Sequence, residues 1–348
     1  WLKFCAALVA RVLPLVSKKL MAPMKLKTLF TELTGVEKPL MCGGMHYVGY
    51  AELVAAVANA GCFGCLTALT QPNPEALRRE IRKCRALTSK PFGVNITLLP
   101  VGTPPDYPGL AKVCIEEGIK VIETAGQNPK VVIEMCKPAG IKIIHKTTSV
   151  RHAISAIKLG VDMISMDGFE CGGHPGADDV TNWVLLPKAC AKLNVPVIVS
   201  GACANGRQLA AALAMGAEGM NMGTRWMATK ECGIKDGIKE ALVKADERNT
   251  TLVMRSVGNT ERVFKNPTAA KVVETEAEHP GEFELIRPYV AGLAYKESFW
   301  ETGDPSTSVW SCGQSIGLID SVPSCQELAD QIMTECGECF NRFNRSRL

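Results

Sequence analysis

Several patterns that would assign a sequence to a common protein class are missing here. The most apolar stretch, residues 1–27, is interrupted by basic residues and by Pro14 well short of the about 18 apolar residues that span a membrane. Neither a G-x-x-x-x-G-K-[ST] loop nor a G-x-G-x-x-G motif occurs, which argues against ATP and against a tightly held dinucleotide. Residues 32–348 hold 33 basic and 35 acidic residues, a balance that argues against binding to nucleic acid.

The 15 cysteines show no pattern of a disulfide framework. Their number is odd, and many lie in apolar patterns where cysteine packs as a small hydrophobic residue, which indicates reduced thiols and an intracellular protein. Cys336 and Cys339 form a C-x-x-C motif, but no second pair at zinc-site spacing accompanies them. We therefore expect packing positions and no metal site.

Residues 1–30 are interpreted as a separate segment, because residues 1–31 hold six basic residues and no acidic one. The basic side chains fall on one side of a helix, which is typical of an amphipathic helix that contacts a membrane surface or a protein complex through residues 1–27. The same composition also resembles a mitochondrial targeting segment. A docking helix and a targeting remnant both stay open, as do mitochondrial and cytoplasmic locations.

A repeated strand and helix pattern begins at Lys38 and continues for about 200 residues. Eight amphipathic helical patterns accompany eight apolar runs. The eight predicted strands are residues 39–45, 62–68, 92–98, 121–126, 142–147, 163–168, 197–202 and 219–226. Eight units of similar length predict an α/β fold of the (β/α)8 TIM-barrel type over residues 31–248, with an open sheet as the alternative. Residues 249–348 are interpreted as an α-rich C-terminal extension that covers the barrel mouth.

The most distinctive stretch is residues 163–176, reading MISMDGFECGGHPG. An apolar strand ends at Asp167, and four glycines then surround His174 in a loop. The carboxyl ends of strands are where α/β barrels carry out chemistry, so His174 is the candidate catalytic residue. A histidine serves as a base when neutral and as a hydrogen-bond donor in either state.

The segments after the seventh and eighth strands predict a phosphate site. They read SGACANGR from Ser200 and NMGTR from Asn221. Small residues allow backbone amides to point at a ligand, a helix is expected to begin near Asn205, and Thr224 supplies a hydroxyl. In a TIM barrel the phosphate of a ligand binds at these two turns, which favours a flavin mononucleotide.

Other predicted strand ends place polar side chains at the same mouth. Asn95 ends the run FGVN, Glu123 lies in the fourth strand, and Lys146 ends KIIHK. A flavin ring edge would satisfy the Asn95 amide, although this side chain could instead cap a neighbouring loop. Lys146 is interpreted either as a partner for an anion or for flavin charge, or as a surface lysine.

Taken in order, these motifs resemble one family. The stretches 41–45 (MCGGM), 92–95 (FGVN), 168–176 (GFECGGHPG), 200–207, 221–225 and 309–319 (VWSCGQSIGLI) look like the successive motifs of nitronate monooxygenases, formerly called 2-nitropropane dioxygenases. The resemblance covers about residues 38–335. It implies a flavin enzyme with FMN as its cofactor, which oxidises alkyl nitronates with O2 to a carbonyl compound and nitrite.

By position in the motifs, the resemblance makes His174 the catalytic histidine. The residues then predicted to contact FMN are Gly44, Met45, Asn95, Lys146, Gly173, Gly201, Ala202, Asn221, Met222, Gly223 and Thr224. The sequence departs from the family at Ala202, where the family often has glycine, and at Cys171, where it often has alanine. An alanine at 202 leaves its amide usable only if that residue adopts φ below zero.

Two alternatives belong to other classes. Flavin-dependent enoyl-ACP reductases resemble this barrel and its Gly-Gly-His loop but take hydride from NAD(P)H. A barrel serving as an accessory subunit, docked through its basic N-terminal segment, is the non-enzymatic alternative. The predicted small-molecule partners are a nitronate or nitroalkane and O2.

Overall fold

The computed structural model describes residues 24–99 and 104–345, and its centre is a closed barrel of eight parallel strands. Each strand pairs with the next along the chain, and β1 also pairs with β8, so Met41 lies opposite both Phe63 and Asn221. The strands are β1 (Leu40–Cys42), β2 (Phe63–Thr67), β3 (Gly93–Leu98), β4 (Val121–Gly126), β5 (Lys142–Thr147), β6 (Met163–Asp167), β7 (Val197–Ser200) and β8 (Met220–Met222). The prediction of a TIM barrel is confirmed, and the open-sheet alternative is wrong.

Helices surround the barrel and return the chain from one strand to the next. They are α1 (Leu29–Thr34), α2 (Ala51–Asn59), α3 (Pro74–Leu87), α4 (Tyr107–Glu116), α5 (Lys130–Cys136), α6 (Val150–Leu159), α7 (Asn182–Lys192), α8 (Gly206–Ala214), α9 (Thr224–Met227) and α10 (Asp236–Lys244). The side chains of Asn73, Ser149 and Asn205 cap the first turns of α3, α6 and α8, as residues of these types commonly do.

The amino end of the barrel is closed by α1. The ring of Phe30 is fully buried, and its centroid lies 6.3 Å from the centroid of the Phe63 ring in an edge-to-face arrangement. Both rings pack with inward-facing apolar residues that include Met41 and Ile198. Because described residues fill this end of the barrel, a ligand is expected at the carboxyl end of the strands.

The eighth strand is shorter than predicted. It ends at Met222, and Gly223 leads directly into the short helix α9, so that Thr224 lies in a helix and not in a strand. Trp226 explains this turn, because its indole is fully buried and donates a hydrogen bond of 3.0 Å to the carbonyl oxygen of Met41.

The C-terminal extension contains an antiparallel pair of strands that the sequence pattern did not reveal. The pair is β9 (Thr250–Val253) and β10 (Glu261–Phe264), followed by α11 (Pro267–Glu278), α12 (Phe283–Val290), α13 (Gly292–Glu297) and α14 (Cys325–Arg345). Part of the extension, from Met254 to Ser315, contributes residues to the barrel mouth. Helix α14 lies elsewhere, against α8 and α2 on the outside of the barrel.

The predicted N-terminal segment falls largely outside the described residues, which begin at Met24. Within the described part of the chain, none of the helices has the length and hydropathy that a membrane crossing requires. The two cysteines of the C-x-x-C motif lie on α14, where Cys336 is buried and Cys339 is partly buried, both as thiols. No group of three or more metal-ligating side chains was found in residues 24–99 and 104–345.

Candidate active site

A cavity of about 2020 Å³ opens at the carboxyl ends of the barrel strands. Its walls are the loops after the strands and residues of the C-terminal extension. All twelve residues selected from the sequence line it, from Gly44 after β1 to Thr224 after β8, with His174 among them. Ligand pockets commonly measure about 300–1,000 Å³, so this cavity has room for a cofactor together with a substrate.

The turn after β7 presents backbone amides to the cavity. In the described part of the chain, the N–H groups of Gly201, Ala202 and Cys203 find no protein acceptor. Gly201 has φ of 91°, and a Cβ atom there would lie 2.8 Å from the Cβ of Cys171. This position therefore needs glycine on two grounds, backbone conformation and space.

The turn after β8 presents a second group of donors. The amides of Gly223 and Thr224 also lack acceptors among the described residues. The Thr224 hydroxyl oxygen accepts a hydrogen bond of 2.9 Å from the amide of Gly313, and Thr224 lines the cavity. Five amides without protein acceptors, beside the Thr224 hydroxyl, form a cradle for an anion.

Helix α8 contributes less to this cradle than the sequence suggested. The helix does begin after Asn205, but its first amides already have partners. The side chain of Gln208 accepts from the amides of Ala204 and Asn205, and Glu335 of α14 accepts from Gly206 at 2.9 Å. The expected helix N-terminus is thus satisfied by the protein itself, and the donors that remain are those of the two turns.

Ala202 adopts φ of 55°, the left-handed region that an alanine enters only at a cost. Its amide still lies at the cavity, so the expectation that it requires φ below zero is wrong. The left-handed conformation costs alanine about 1–2 kcal/mol, whereas glycine adds only about 0.4–1 kcal/mol of unfolded-state entropy. We expect Ala202→Gly to raise the free energy of unfolding by about 0.5 kcal/mol, measured by urea denaturation with excess FMN. A lower free energy of unfolding in Ala202→Gly would contradict this description of the turn.

Glu123 lies fully buried at the base of the cavity and collects four donors. Its carboxylate accepts from the Gly44 amide at 2.8 Å, from Asn95 Nδ2 at 2.7 Å and from Asn221 Nδ2 at 3.2 Å, and Lys146 Nζ lies 3.4 Å away. It thereby joins strands β3, β4, β5 and β8 to the loop after β1. The sequence placed Glu123 near the mouth but gave it no role.

The two asparagines selected for the cofactor are therefore oriented by the protein. Asn95 Oδ1 accepts from the Thr97 hydroxyl at 3.0 Å, and Asn221 Oδ1 accepts from the Gly43 amide at 2.9 Å. Both residues line the cavity. Asn95 Nδ2 keeps a second proton for a ligand, whereas Asn221 Nδ2 donates both of its protons within the protein, to Glu123 and to the Ser165 hydroxyl oxygen at 3.2 Å. Gly44 has no room for a side chain, because a Cβ atom there would lie 2.1 Å from Asn95 Cγ.

Lys146 is a cation at the cavity wall and not a surface lysine, since only 20% of its side chain is exposed. Burial by itself would lower the pKa of Lys146, but the carboxylates of Glu123 and Asp167 outweigh this effect and hold its pKa above the ordinary value. Burial raises the pKa of Asp167. The base of the cavity is thus a set of buried charges with a cation among them.

His174 lies exposed at the rim of the same cavity. The loop that carries it, residues 168–176, is called the histidine loop below. No hydrogen bond to His174 is formed within the described part of the chain, so the imidazole is available to a substrate. His145 differs, because it is buried and its Nδ1 lies 2.9 Å from the hydroxyl oxygen of Thr124. Burial lowers the pKa of His145 to about 4, which keeps it neutral at physiological pH.

Sequence reasoning missed further residues of the wall. Tyr295 of α13 hydrogen bonds to Nδ1 of His46 and so joins the extension to the loop after β1. Gln71 also lines the cavity, and its Nε2 is a buried donor without a partner in the described structure. The contact of Tyr295 with His46 joins distant parts of the chain, and periodicity does not indicate such contacts.

These features fit a flavin mononucleotide. The unpaired amides of the two turns and the Thr224 hydroxyl match the acceptor oxygens of a phosphate. Polar groups of Asn95 and Lys146 lie deeper in the same cavity, where a ring system with N–H and C=O edges would satisfy them. The fold and site define a flavin-dependent oxidoreductase of the TIM-barrel type.

Comparisons with known proteins give the family. The family model for nitronate monooxygenase matches residues 27–335. A (3aS,4S,5R,7aS)-5-hydroxy-7a-methyl-1-oxo-octahydro-1H-indene-4-carboxyl-CoA dehydrogenase of Rhodococcus jostii is 31% identical, over 89% of this chain and 96% of the relative. A nitronate monooxygenase of Paraburkholderia phytofirmans is 29% identical, over 90% of this chain and 96% of the relative.

Among solved structures, FabK from Thermotoga maritima has a TM-score of 0.85 and 35% sequence identity, and it aligns with 93% of this chain and 100% of its own. The chain belongs to the nitronate monooxygenase family. It is a flavin oxidoreductase, and its cofactor is FMN.

Proposed function

We propose that this protein oxidises alkyl nitronates with O2 to a carbonyl compound and nitrite. The observation that carries the proposal is the meeting of three features in one cavity: the two turns with unpaired amides, the Lys146 cation, and the exposed imidazole of His174. The family match supports the same reaction. The predicted partners are accordingly a nitronate or nitroalkane and O2.

FMN, when bound, supplies the acceptance of electrons from the substrate and their transfer to O2. We assign its phosphate to the amides of Gly201, Ala202, Gly223 and Thr224. Its ring is assigned to the deeper part of the cavity. The residues assigned to the ring are Gly44, Met45, Asn95, Lys146, Gly173, Asn221 and Met222.

His174 is assigned to the substrate. A neutral imidazole accepts the α-proton of a nitroalkane, and an imidazole N–H donates a hydrogen bond to an oxygen of the nitronate anion. Lys146 supplies a cation at the wall of the same cavity, where the carboxylates of Glu123 and Asp167 are its counter-charges. The protein therefore binds and orients the substrate and moves one proton at His174.

The Thr224 hydroxyl offers a direct test of the phosphate assignment. Replacing Thr224 with valine keeps the shape of the side chain but removes its proton and the acceptor of the Gly313 amide. A hydrogen bond to a charged group contributes about 1.5–3 kcal/mol, so we expect the Kd for FMN to rise at least about tenfold, measured by fluorescence titration of flavin-free protein. Thr275→Val, on the exposed surface of α11, is the matched control. An unchanged Kd in Thr224→Val would remove this turn from the phosphate site.

A second candidate function is the reduction of a substrate with hydride taken from NAD(P)H, as in flavin-dependent enoyl-ACP reductases. The observation that favours it is similarity: FabK and the carboxyl-CoA dehydrogenase are 35% and 31% identical to this chain, and the nitronate monooxygenase of Paraburkholderia phytofirmans is 29% identical. The cavity is large enough for a second cofactor or a bulky acyl substrate.

The proposed reaction is tested by following nitrite release and O2 uptake together. The purified FMN-loaded protein is mixed with propyl-2-nitronate in air, and we expect nitrite and O2 consumption to rise in proportion to enzyme. Absence of both, with oxidation of NADPH in an acyl-thioester assay, would support the second candidate in place of the first.

The N-terminal segment carries a separate proposal. We propose that residues 1–27 contact a membrane surface or a larger complex, with mitochondria as the location and the cytoplasm as the alternative. Deletion of residues 1–27 is expected to abolish sedimentation with membrane or complex fractions and to leave nitronate turnover unchanged. Equal sedimentation of both forms would contradict the docking proposal, and a flavin-free native protein would favour an accessory subunit.

A further inference from the structure

The histidine loop is held by the C-terminal extension and not by its own barrel neighbours alone. Strand β10 reaches it through a pair of backbone hydrogen bonds, in which the Arg262 amide donates to Gly173 at 2.7 Å and the Gly173 amide donates to Arg262 at 3.1 Å. Gly173 is adjacent to His174, so this pair fixes the backbone from which the imidazole extends.

The Arg262 side chain adds a second attachment. Its Nε and Nη2 donate to the carbonyl oxygen of Phe169 at 3.1 and 3.0 Å, and its Nη1 donates to the Thr250 hydroxyl at 3.1 Å. The guanidinium also lies 4.5 Å from the centre of the Phe169 ring. One buried side chain thereby joins both strands of the extension to the start of the histidine loop.

Burying an arginine costs free energy, because its charged guanidinium loses contact with water. Arg262 is only 4% exposed, and burial lowers its pKa from the ordinary value. Apolar residues of similar volume often stabilise a core as well as a buried charge does. The forked geometry of the guanidinium is useful where an orientation must be fixed, since two donors on one carbonyl oxygen restrict the loop direction.

The other side of the loop leaves little room for adjustment. A Cβ atom on Gly172 would lie 2.7 Å from the Gly313 nitrogen, and the Gln314 amide donates to the Glu170 carbonyl at 3.0 Å. Gly313 is also the residue that donates to Thr224 in the phosphate turn. His174 has no protein hydrogen bond of its own in the described chain, so its position depends on this backbone packing.

We propose that Arg262 is a positioning residue for His174, which places a determinant of the reaction on the C-terminal extension. The proposal rests on the proposed function, because it assigns His174 to the substrate. Arg262 sets the direction of the histidine loop, and the loop sets the distance from the imidazole to a substrate. Misplacement of a reacting group by about 1 Å costs on the order of a hundredfold in rate.

The test compares Arg262→Gln, Arg262→Lys and the control Arg248→Gln in the full FMN-loaded chain. Arg248 lies directly before the extension, and its side chain is 82% exposed and pairs with Asp246. Amide hydrogen exchange is measured in residues 168–176, together with kcat and KM for nitroethane and the Kd for FMN.

For Arg262→Gln we expect the rate of amide hydrogen exchange in the histidine loop to increase about tenfold, which is the scale expected for the loss of one or two hydrogen bonds. We expect kcat to fall about 10–100-fold while KM and the Kd for FMN change less than about threefold. Arg262→Lys keeps the positive charge and a hydrogen-bond donor. We therefore expect its kcat and its rate of amide exchange in the histidine loop to lie between those of Arg262→Gln and the unmodified protein. Arg248→Gln is expected to match the unmodified protein.

Unchanged loop exchange in Arg262→Gln, or a loss of kcat only in proportion to lost FMN, would overturn the proposal. If Arg262→Gln does not fold, Arg262→Lys decides by the same criteria, since a merely structural role predicts lower stability with normal kcat per bound FMN. If the unmodified protein turns over neither nitroethane nor propyl-2-nitronate, the proposed function fails, and the exchange measurement still tests whether Arg262 orders the loop.

Discussion

Replacing His174 with alanine is expected to lower the rate of oxidation of a neutral nitroalkane at least about a hundredfold, with FMN still bound. The reason is that the α-proton of nitroethane must be removed, and loss of a positioned general base usually costs about 10²–10⁴ in rate. His174 lies exposed on the cavity rim and forms no bond that the fold depends on in the described structure, so FMN content should not change. The measurement is nitrite release from nitroethane, normalised to bound flavin.

A preformed nitronate separates the two roles of His174. Because its proton is already gone, we expect a smaller loss with propyl-2-nitronate than with nitroethane. His279→Ala is the control, since this histidine lies on the exposed end of α11, half-exposed and 3.5 Å from Glu282. Equal nitroethane turnover by His174→Ala and the unmodified protein would exclude His174 from the mechanism.

Replacing Glu123 with glutamine is expected to have the largest effect on stability. Glu123 is fully buried and accepts from Gly44 and Asn95 while it faces the Lys146 ammonium. Glutamine keeps the shape but removes the negative charge and turns one acceptor into a donor, which leaves Lys146 with Asp167 as its remaining buried counter-charge. Breaking a buried ion pair typically costs about 3–5 kcal/mol, and we expect about 3 kcal/mol here, measured by guanidinium denaturation with excess FMN.

The control is Glu240→Gln on α10, where an exposed carboxylate pairs with Lys244 at 3.1 Å one helical turn away. Exposed ion pairs of this kind contribute about 0.5 kcal/mol or less to the free energy of unfolding. We therefore expect Glu123→Gln to lose several times more stability than Glu240→Gln. If Glu123→Gln lowers the free energy of unfolding no more than Glu240→Gln does, the hydrogen bonds and charges around Glu123 do not stabilise the base of the cavity.

The order of the strands and the candidate site could be predicted because both depend on local patterns. Apolar runs separated by amphipathic stretches predicted the eight strands, and the small residues of the two turns marked where backbone amides face the cavity. Parallel topology then brings the carboxyl ends of all strands to one edge, so residues as distant as Gly44 and Thr224 were expected to meet.

The contacts that organise the site could not be predicted in the same way. Gly43 and Asn221 are 178 residues apart in the chain, and Arg262 and Phe169 are 93 apart. The pairing of such residues is decided by barrel closure and by the path of the extension, neither of which leaves a periodic signal. The hairpin of β9 and β10 was missed for a related reason, since its two short strands are separated by a loop without a strong turn motif.

The end of the eighth strand shows a limit of apolar patterning. The run through Trp226 was predicted to be one strand, but the indole needs both burial and an acceptor for its N–H, and the Met41 carbonyl supplies that acceptor only when the chain turns into α9. Ala202 shows another limit. A side chain is tolerated in the left-handed region where the surrounding turn fixes the backbone, and the sequence does not reveal this compensation.

The most direct test of the account is an anaerobic stopped-flow comparison of two reductants. The FMN-loaded protein is mixed without O2 with propyl-2-nitronate in one experiment and with NADPH in another, and flavin absorbance near the visible maximum is followed. The account predicts rapid loss of absorbance with the nitronate, slowed in Arg262→Gln, and little change with NADPH. Rapid bleaching by NADPH with no response to the nitronate would contradict it.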